Sequence, residues 1–278
     1  MTSLLKSFDV MAGYKPEYAV DIEKMFASKG GHIPKFAVSW LKKFFHLDFI
    51  NSYLVQGREG VDFCTGALEY LDVKLDVRGL ENVPADGTLY TFVSNHPLGG
   101  IDGVALGSIV GRQFGGKVRY LVNDLLMNIK GLAPICVPVN KLGGQARNLP
   151  QLINEAFHSD NHMILFPAGL CSRRIDGKIQ DLPWGKAFIN KSVETQRAVV
   201  PVHFVANNSK RFYRIAAWCK RIGLKFNLAM AFLPDEMYRG RHGTFTVIFG
   251  KPINYTTFDK SRTPYGWAQW VREEVYKL

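Results

Sequence analysis

From residue 73 onward the chain alternates short apolar, β-prone runs with longer amphipathic ones, and this alternation most narrows what it can fold into. Short runs suit strands, longer ones suit helices, and their alternation argues for an α/β sheet. The pattern predicts strands over 73–78, 88–94, 117–122, 134–139, 162–167, 198–205, 226–232 and 244–250. It predicts helices over 103–113, 145–158, 185–196, 209–221 and 264–277. Before residue 73 no strong strand appears. A short helix from Asp21 to Ala27 ends at Gly30-Gly31, and a second starts after Pro34 and runs to Leu47. A third covers Arg58 to Leu71. The expected architecture is α/β: a mixed, largely parallel sheet flanked by helices, with an N-terminal helical layer. Residues 1–75 form the helical region, with a capacity for membrane association, and residues 76–278 form the α/β domain.

Charge narrows the partners. Among 278 residues the net charge is +11, with a sequence pI near 9.5. Such an excess favours nucleic acid, an acidic protein or an anionic lipid surface. No recognised nucleic-acid motif accompanies it, so nucleic acid is not expected. Cys64, Cys136, Cys171 and Cys219 lie far apart, unlike a disulfide framework or a zinc knuckle, which points to a reducing cytosol. Charges interrupt the N-terminal run too early for a signal-peptide core, and no stretch approaches the ~18 apolar residues of a membrane span.

Two segments carry candidate chemistry. Thr88 to Val93 is a predicted strand, and Ser94-Asn95-His96-Pro97-Leu98-Gly99-Gly100-Ile101-Asp102-Gly103 follows it. This sets His96 at a strand mouth, with two glycines to turn the backbone before Asp102. A carboxylate beside an imidazole fixes its tautomer and stabilises the imidazolium, which makes a general base. The plain alternative is strand-to-helix punctuation, with Leu98 and Ile101 as packing residues. The second segment, Phe166-Pro167-Ala168-Gly169 running to Arg173 and Arg174, also leaves an apolar strand. Two arginines there can grip an anion in bidentate fashion, or stand as a solvated basic loop. In an open α/β sheet such strand-end loops meet at the carboxyl edge, which pairs the two segments.

Asn95-His96-Pro97 with Asp102, then Phe166-Pro167-Ala168-Gly169, resembles the glycerolipid (lysophospholipid, PlsC-like) acyltransferase family, with its NHxxxxD and FPEG-type motifs. Val200-Pro201-Val202 is similar to its later apolar-proline motif, and Gly131 to Val139 to the intervening strand. The resemblance covers roughly residues 75–255. Three positions depart from the family pattern: five residues rather than four separate His96 from Asp102, Ala168 stands for the glutamate, and Asn140 lies where an arginine is frequent. The glutamate and arginine are linked in the family to a glycerol-phosphate acceptor. With Leu233 to Met237 and Phe249 to Ile253, the variants look closer to a bacterial hemolysin-like subgroup that O-acylates lyso-aminolipids such as lyso-ornithine or lyso-glycine lipids.

What the resemblance implies is direct acyl transfer from acyl carrier protein or acyl-CoA to a lyso-lipid hydroxyl, with no other cofactor and no metal. His96 and Asp102 would be catalytic. Asn95, Gly99, Gly100, Phe166, Pro167, Ala168, Gly169, Arg173 and Arg174 would line the substrates, and N–H groups of the glycine turns are candidate oxyanion donors. Lysophosphatidate is the alternative acceptor. A noncatalytic lipid- or carrier-protein-binding module is the alternative of another class.

The segment from Lys210 to Phe226 mixes six cations with aromatic and aliphatic groups. Lys210, Arg211, Arg214, Trp218, Lys220 and Arg221 therefore either contact a membrane or belong to a helix packed on the sheet with its charges solvated. Trp40 and Phe44 raise the same pair of readings in the 35–47 helix. Together they suit peripheral placement at the cytoplasmic face of an inner membrane. His158 and His162 have an i,i+4 spacing but no third metal ligand. Gly143-Gly144-Gln145 reads as a loop and cap rather than a phosphate cradle.

Overall fold

A computed structural model describes residues 14–23, 34–139, 149–222 and 231–278. Its centre is a seven-stranded sheet. In chain order the strands are β1 (Lys74–Arg78), β2 (Tyr90–Ser94), β3 (Val118–Val122), β4 (Cys136–Pro138), β5 (His162–Leu165), β8 (Ala198–Val205) and β9 (Thr244–Phe249). A separate two-stranded hairpin, β6 (Arg173–Ile175) with β7 (Lys178–Gln180), lies between β5 and β8 in sequence. The spatial order is β1-β9-β8-β2-β5-β3-β4, parallel throughout except between β8 and β9. The sheet is thus mixed and largely parallel, as expected.

The helices are α1 (Lys35–Phe44), α2 (Leu47–Leu54), α3 (Gly60–Tyr70), α4 (Ile101–Gln113), α5 (Leu149–His158), α6 (Ala187–Thr195), α7 (Lys210–Arg221), α8 (Leu233–Arg239) and α9 (Pro264–Lys277). α9 begins where the sequence places it. Pro264 occupies its first turn, and the Thr263 hydroxyl accepts the Gly266 N–H at 3.0 Å.

Side-chain alternation along the strands splits the core into two layers. Phe92, Ile164 and Val200 are register partners and pack together toward α3 and α4. One residue earlier, Met163 and Val199 flank Thr91 and face the opposite layer with Phe157, Phe188 and Val271 from α5, α6 and α9. All five residues of β2 are buried, as a central strand covered on both faces requires. Tyr53, Leu54, Phe63, Cys64 and Leu68 of α2 and α3 join the first layer, so these N-terminal helices share the core of the sheet.

Three local expectations need correction. The 35–47 helix breaks at His46, whose left-handed φ of 51° ends one helix and begins another. The strand placed over 226–232 is not one at its described end: residues 231–232 form a short turn leading into α8, and 226–230 lie outside the described residues. Pro234 in the first turn, followed by Asp235 and Glu236, is a helix-start signature. Arg173 and Arg174 sit on a β-hairpin rather than in a loop. Asp176 and Gly177 turn it with positive φ values of 48° and 81°, the conformation that two-residue hairpin turns demand. The expected short helix over 21–27, positions 145–148 of the helix expected over 145–158, Asn140 and Gly143 to Gln145 fall wholly or partly outside the described residues.

Phe188 is 1% exposed and sits 6.0 Å, edge to face, from Trp184. Phe188→Ala is expected to lower unfolding free energy by about 3–5 kcal/mol, read from urea titrations.

Candidate active site

β2 and β5 are adjacent and parallel, with Val93 opposite Leu165, so the segments leaving them emerge side by side. The His96 ring stacks on Phe166 with centroids 4.0 Å apart. The two sequence motifs therefore meet at the carboxyl edge of the sheet.

Asp102 is fully buried in the first turn of α4. Its Oδ2 lies 3.0 Å from His96 Nδ1 and accepts N–H groups of Leu98 at 2.9 Å and Gly99 at 3.2 Å. Its Oδ1 accepts the Gly103 N–H at 2.9 Å. An ionised carboxylate only accepts, so Nδ1 carries the proton in the neutral ring and the lone pair falls on Nε2. Burial works against charge on both groups. For His96 the Asp102 carboxylate outweighs burial through charge and hydrogen bond, Asp181 adds to it, and the pKa rises above 6.5. For Asp102 the same burial is outweighed by His96 and the backbone N–H groups, and its pKa falls below 3.8.

Gly99 makes this turn possible. Its φ is +77°, and an added Cβ would lie 2.4 Å from Cys171 Sγ and 2.9 Å from Leu233. Gly100, at φ −158° and ψ −65°, has room for a Cβ. Its N–H has no partner among the described residues, whereas those of Gly99 and Gly103 are taken by Asp102 and that of Gly169 by Phe166.

Asn95 is buried, and its side-chain amide clamps the Phe204 backbone, accepting its N–H at 2.7 Å and donating to its carbonyl at 3.0 Å. It fastens the end of β2 to β8. Pro167 accepts the Gly185 N–H through its carbonyl, and Ala168 packs against the second core layer. Arg173 donates to the carbonyls of Cys171 and Ser172 and stacks over Phe212, which fixes its orientation. Arg174 is exposed on the hairpin.

Sequence reasoning missed Asp181. This fully buried carboxylate accepts the His96 N–H at 3.2 Å, the Ser172 hydroxyl at 2.6 Å and the Trp184 indole N–H at 3.0 Å. Burial raises its pKa. It holds the backbone of His96 while Asp102 holds the ring. Nothing in its local sequence marks it, because the backbone it holds, that of His96, lies 85 residues away.

The remaining candidates lie on α1 and α7. Phe36, Trp40 and Trp218 are 79%, 62% and 57% exposed. Phe44 stacks on Trp40 and meets Phe232 edge-on, while Arg211 pairs with Asp235 and lies over the same Phe232. The two helices thus flank one aromatic residue, and Arg211 and Phe44 face inward rather than outward. Lys210, Arg214 and Arg221 are exposed, and the Lys220 side chain lies outside the described part. His158 and His162 do not converge on a metal. His162 is buried and accepts the Tyr90 N–H, with burial lowering its pKa to about 4, whereas His158 bonds the Asn154 carbonyl.

The charge environment of His96 has a measurable consequence. An NMR titration should place the midpoint of its imidazole above 6.5, and Asp102→Asn should move it down, because burial then acts without the compensating charge.

A family model described as acyltransferase matches residues 20–278. The lyso-glycine lipid O-acyltransferase of Bacteroides thetaiotaomicron is 56% identical over 267 residues, spanning 94% of this chain and 98% of that protein. The enzyme of the same name from Phocaeicola vulgatus is 54% identical over 267 residues, spanning 94% and 95%. Among solved structures, the 1-acyl-sn-glycerophosphate (LPA) acyltransferase PlsC of Thermotoga maritima is similar over 78% of this chain and 77% of that one, with a TM-score of 0.46 and 18% identity. With a family model spanning nearly its whole length and relatives this similar, the chain belongs to the acyltransferase family and is an acyltransferase.

Proposed function

We propose that this protein moves a fatty-acyl group from an acyl thioester to the hydroxyl of a lyso-glycine lipid, with His96 as general base oriented by Asp102. The observation that carries the chemistry is the 3.0 Å contact between His96 Nδ1 and a fully buried Asp102, which leaves Nε2 as the proton acceptor. The names of two relatives more than half identical to this chain support the acceptor. Ala168 at the place of the glutamate that the glycerol-phosphate pattern carries argues in the same direction.

In the step itself, Nε2 takes the acceptor hydroxyl proton as the oxygen attacks the thioester carbonyl carbon. The tetrahedral oxyanion needs a donor, and the unpartnered Gly100 N–H before α4 offers one. Collapse breaks the C–S bond, and the proton on Nε2 passes to the departing thiolate, leaving an ester, a thiol and neutral His96. Asp102 stabilises the imidazolium throughout without taking the proton.

Acyl carrier protein is the favoured donor, with acyl-CoA as the other thioester. A chain of net charge +11 attracts an acidic carrier, and the exposed Arg174 and Lys178 of the hairpin stand close in sequence to the site. The exposed aromatics and cations of α1 and α7 fit an anionic membrane surface, consistent with peripheral attachment at the cytoplasmic face of an inner membrane. Among the described residues no helix is long and apolar enough to cross a membrane.

His96→Ala should keep the fold and lipid binding while acyl transfer from carrier protein to lyso-glycine lipid falls by about 10²–10⁴-fold. Unchanged turnover would sink the mechanism. Replacing Trp40 and Trp218 together with alanine should cut binding to anionic vesicles by about tenfold or more in sedimentation assays, since each removes a large apolar group from the interface. Equal binding by the double variant would refute this face as the contact.

A further inference from the structure

Beside the catalytic turn lies a cavity of about 210 Å³ that the step above does not use. Leu98 and Ile101, from the turn that carries His96 and Asp102, form one apolar wall. Asn207 and Ser209, which lead into α7, and Glu236 and Arg239 of α8 line it as well.

The polar wall offers donors. Ser209 takes both oxygens of the buried Glu236, its N–H at 2.7 Å and its hydroxyl at 2.6 Å. Arg239 donates Nε to Asp235 at 2.8 Å, and its two terminal nitrogens have no protein partner among the described residues. The exposed Asn207 side chain likewise has none, whereas its neighbour Asn208 is buried and donates to the Pro97 carbonyl at 3.0 Å, tying this wall to the catalytic turn. An unpaired guanidinium edge and a carboxamide in one cavity with apolar side chains match a carboxylate joined through a short spacer to an amide that carries an alkyl chain.

We propose that this cavity is the acceptor-headgroup subsite and takes an N-acylglycine, its carboxylate on Arg239 and its amide on Asn207. This rests on the acceptor reading above, in which a glycine headgroup supplies both groups. Arg239 would then set acceptor choice without touching the reacting atoms.

The experiment uses two ligands that lack the acceptor hydroxyl, N-dodecanoylglycine and N-dodecanoylglycinamide, below their micelle concentrations in calorimetry. The wild-type protein should bind the acid about tenfold or more tighter than the amide, and Arg239→Gln should abolish that preference. Arg239→Lys, which keeps charge but loses the planar fork, should restore part of it. Arg239 is half exposed, and Asp235 keeps His46 and Arg211, so these variants leave the fold intact. Equal binding of the two ligands, binding of neither, or a preference that survives Arg239→Gln would overturn the subsite. An Arg239-dependent preference in a protein that fails to acylate lyso-glycine lipid would uphold the subsite and overturn the reading of the reaction instead.

Discussion

The geometry of the site depends on one buried charge. Asp102 has no access to water, and an isolated carboxylate in that position would cost several kcal/mol. Three backbone N–H groups and an imidazole meet that cost, and they come from both sides of the turn. To deliver the Leu98 and Gly99 N–H groups to one oxygen, the backbone must double back within a few residues. The left-handed φ of Gly99 provides the reversal, and the space its missing Cβ leaves is filled by Cys171 and Leu233. Five residues separate His96 from Asp102, and the reversal at Gly99 falls within them. Charge, turn and packing are one solution, and removing any part exposes the others to unmet cost.

The sheet then fixes where this turn points. Parallel pairing of β2 with β5 puts Phe166 against the His96 ring, and pairing with β8 lets Asn95 hold the Phe204 backbone. Asp181 holds His96 from behind through its N–H. The imidazole is therefore fixed by two carboxylates with separate duties, one on the ring and one on the main chain. Both raise its proton affinity against the effect of burial, and its pKa lies above 6.5.

Much of this was legible in the sequence because the relevant forces are local. Strand runs such as Ala198 to Val205 show their burial in consecutive residues, and Thr263-Pro264 states a helix start in two letters. The His96–Asp102 pair was legible because the turn joining them is short. Asp235 and Asp181 were not, because decisive partners arrive from distant segments: His46 and Arg211 for one, the His96 main chain for the other. The Arg173–Gln180 hairpin carried a readable signal in Asp176-Gly177. Its strands are only three residues long, and arginines at a strand exit drew attention to charge instead of register. The split of the 35–47 helix had no such signal, since histidine is an unremarkable helix residue until its ring is claimed by Asp235 and stacked on Tyr238 at 3.8 Å.

That last contact shows how the outer face is joined to the chemistry. Asp235 receives His46 from the junction of α1 and α2, Arg211 from α7, and Arg239 from its own helix. A carboxylate 5% exposed is stable there because three cationic or donor groups converge on it, and its pKa is held below 3.8 despite burial. The two helices that carry the exposed aromatics are thus pinned to α8. In turn α8 places Leu233 against Gly99, Glu236 against Ser209, and Arg239 over the cavity beside the turn. A lipid held at that outer face and a headgroup held in that cavity would bear on the same short helix. A chain of contacts among the described residues joins that face to the turn: Phe44 meets Phe232 edge-on, and Leu233 beside it closes on Gly99.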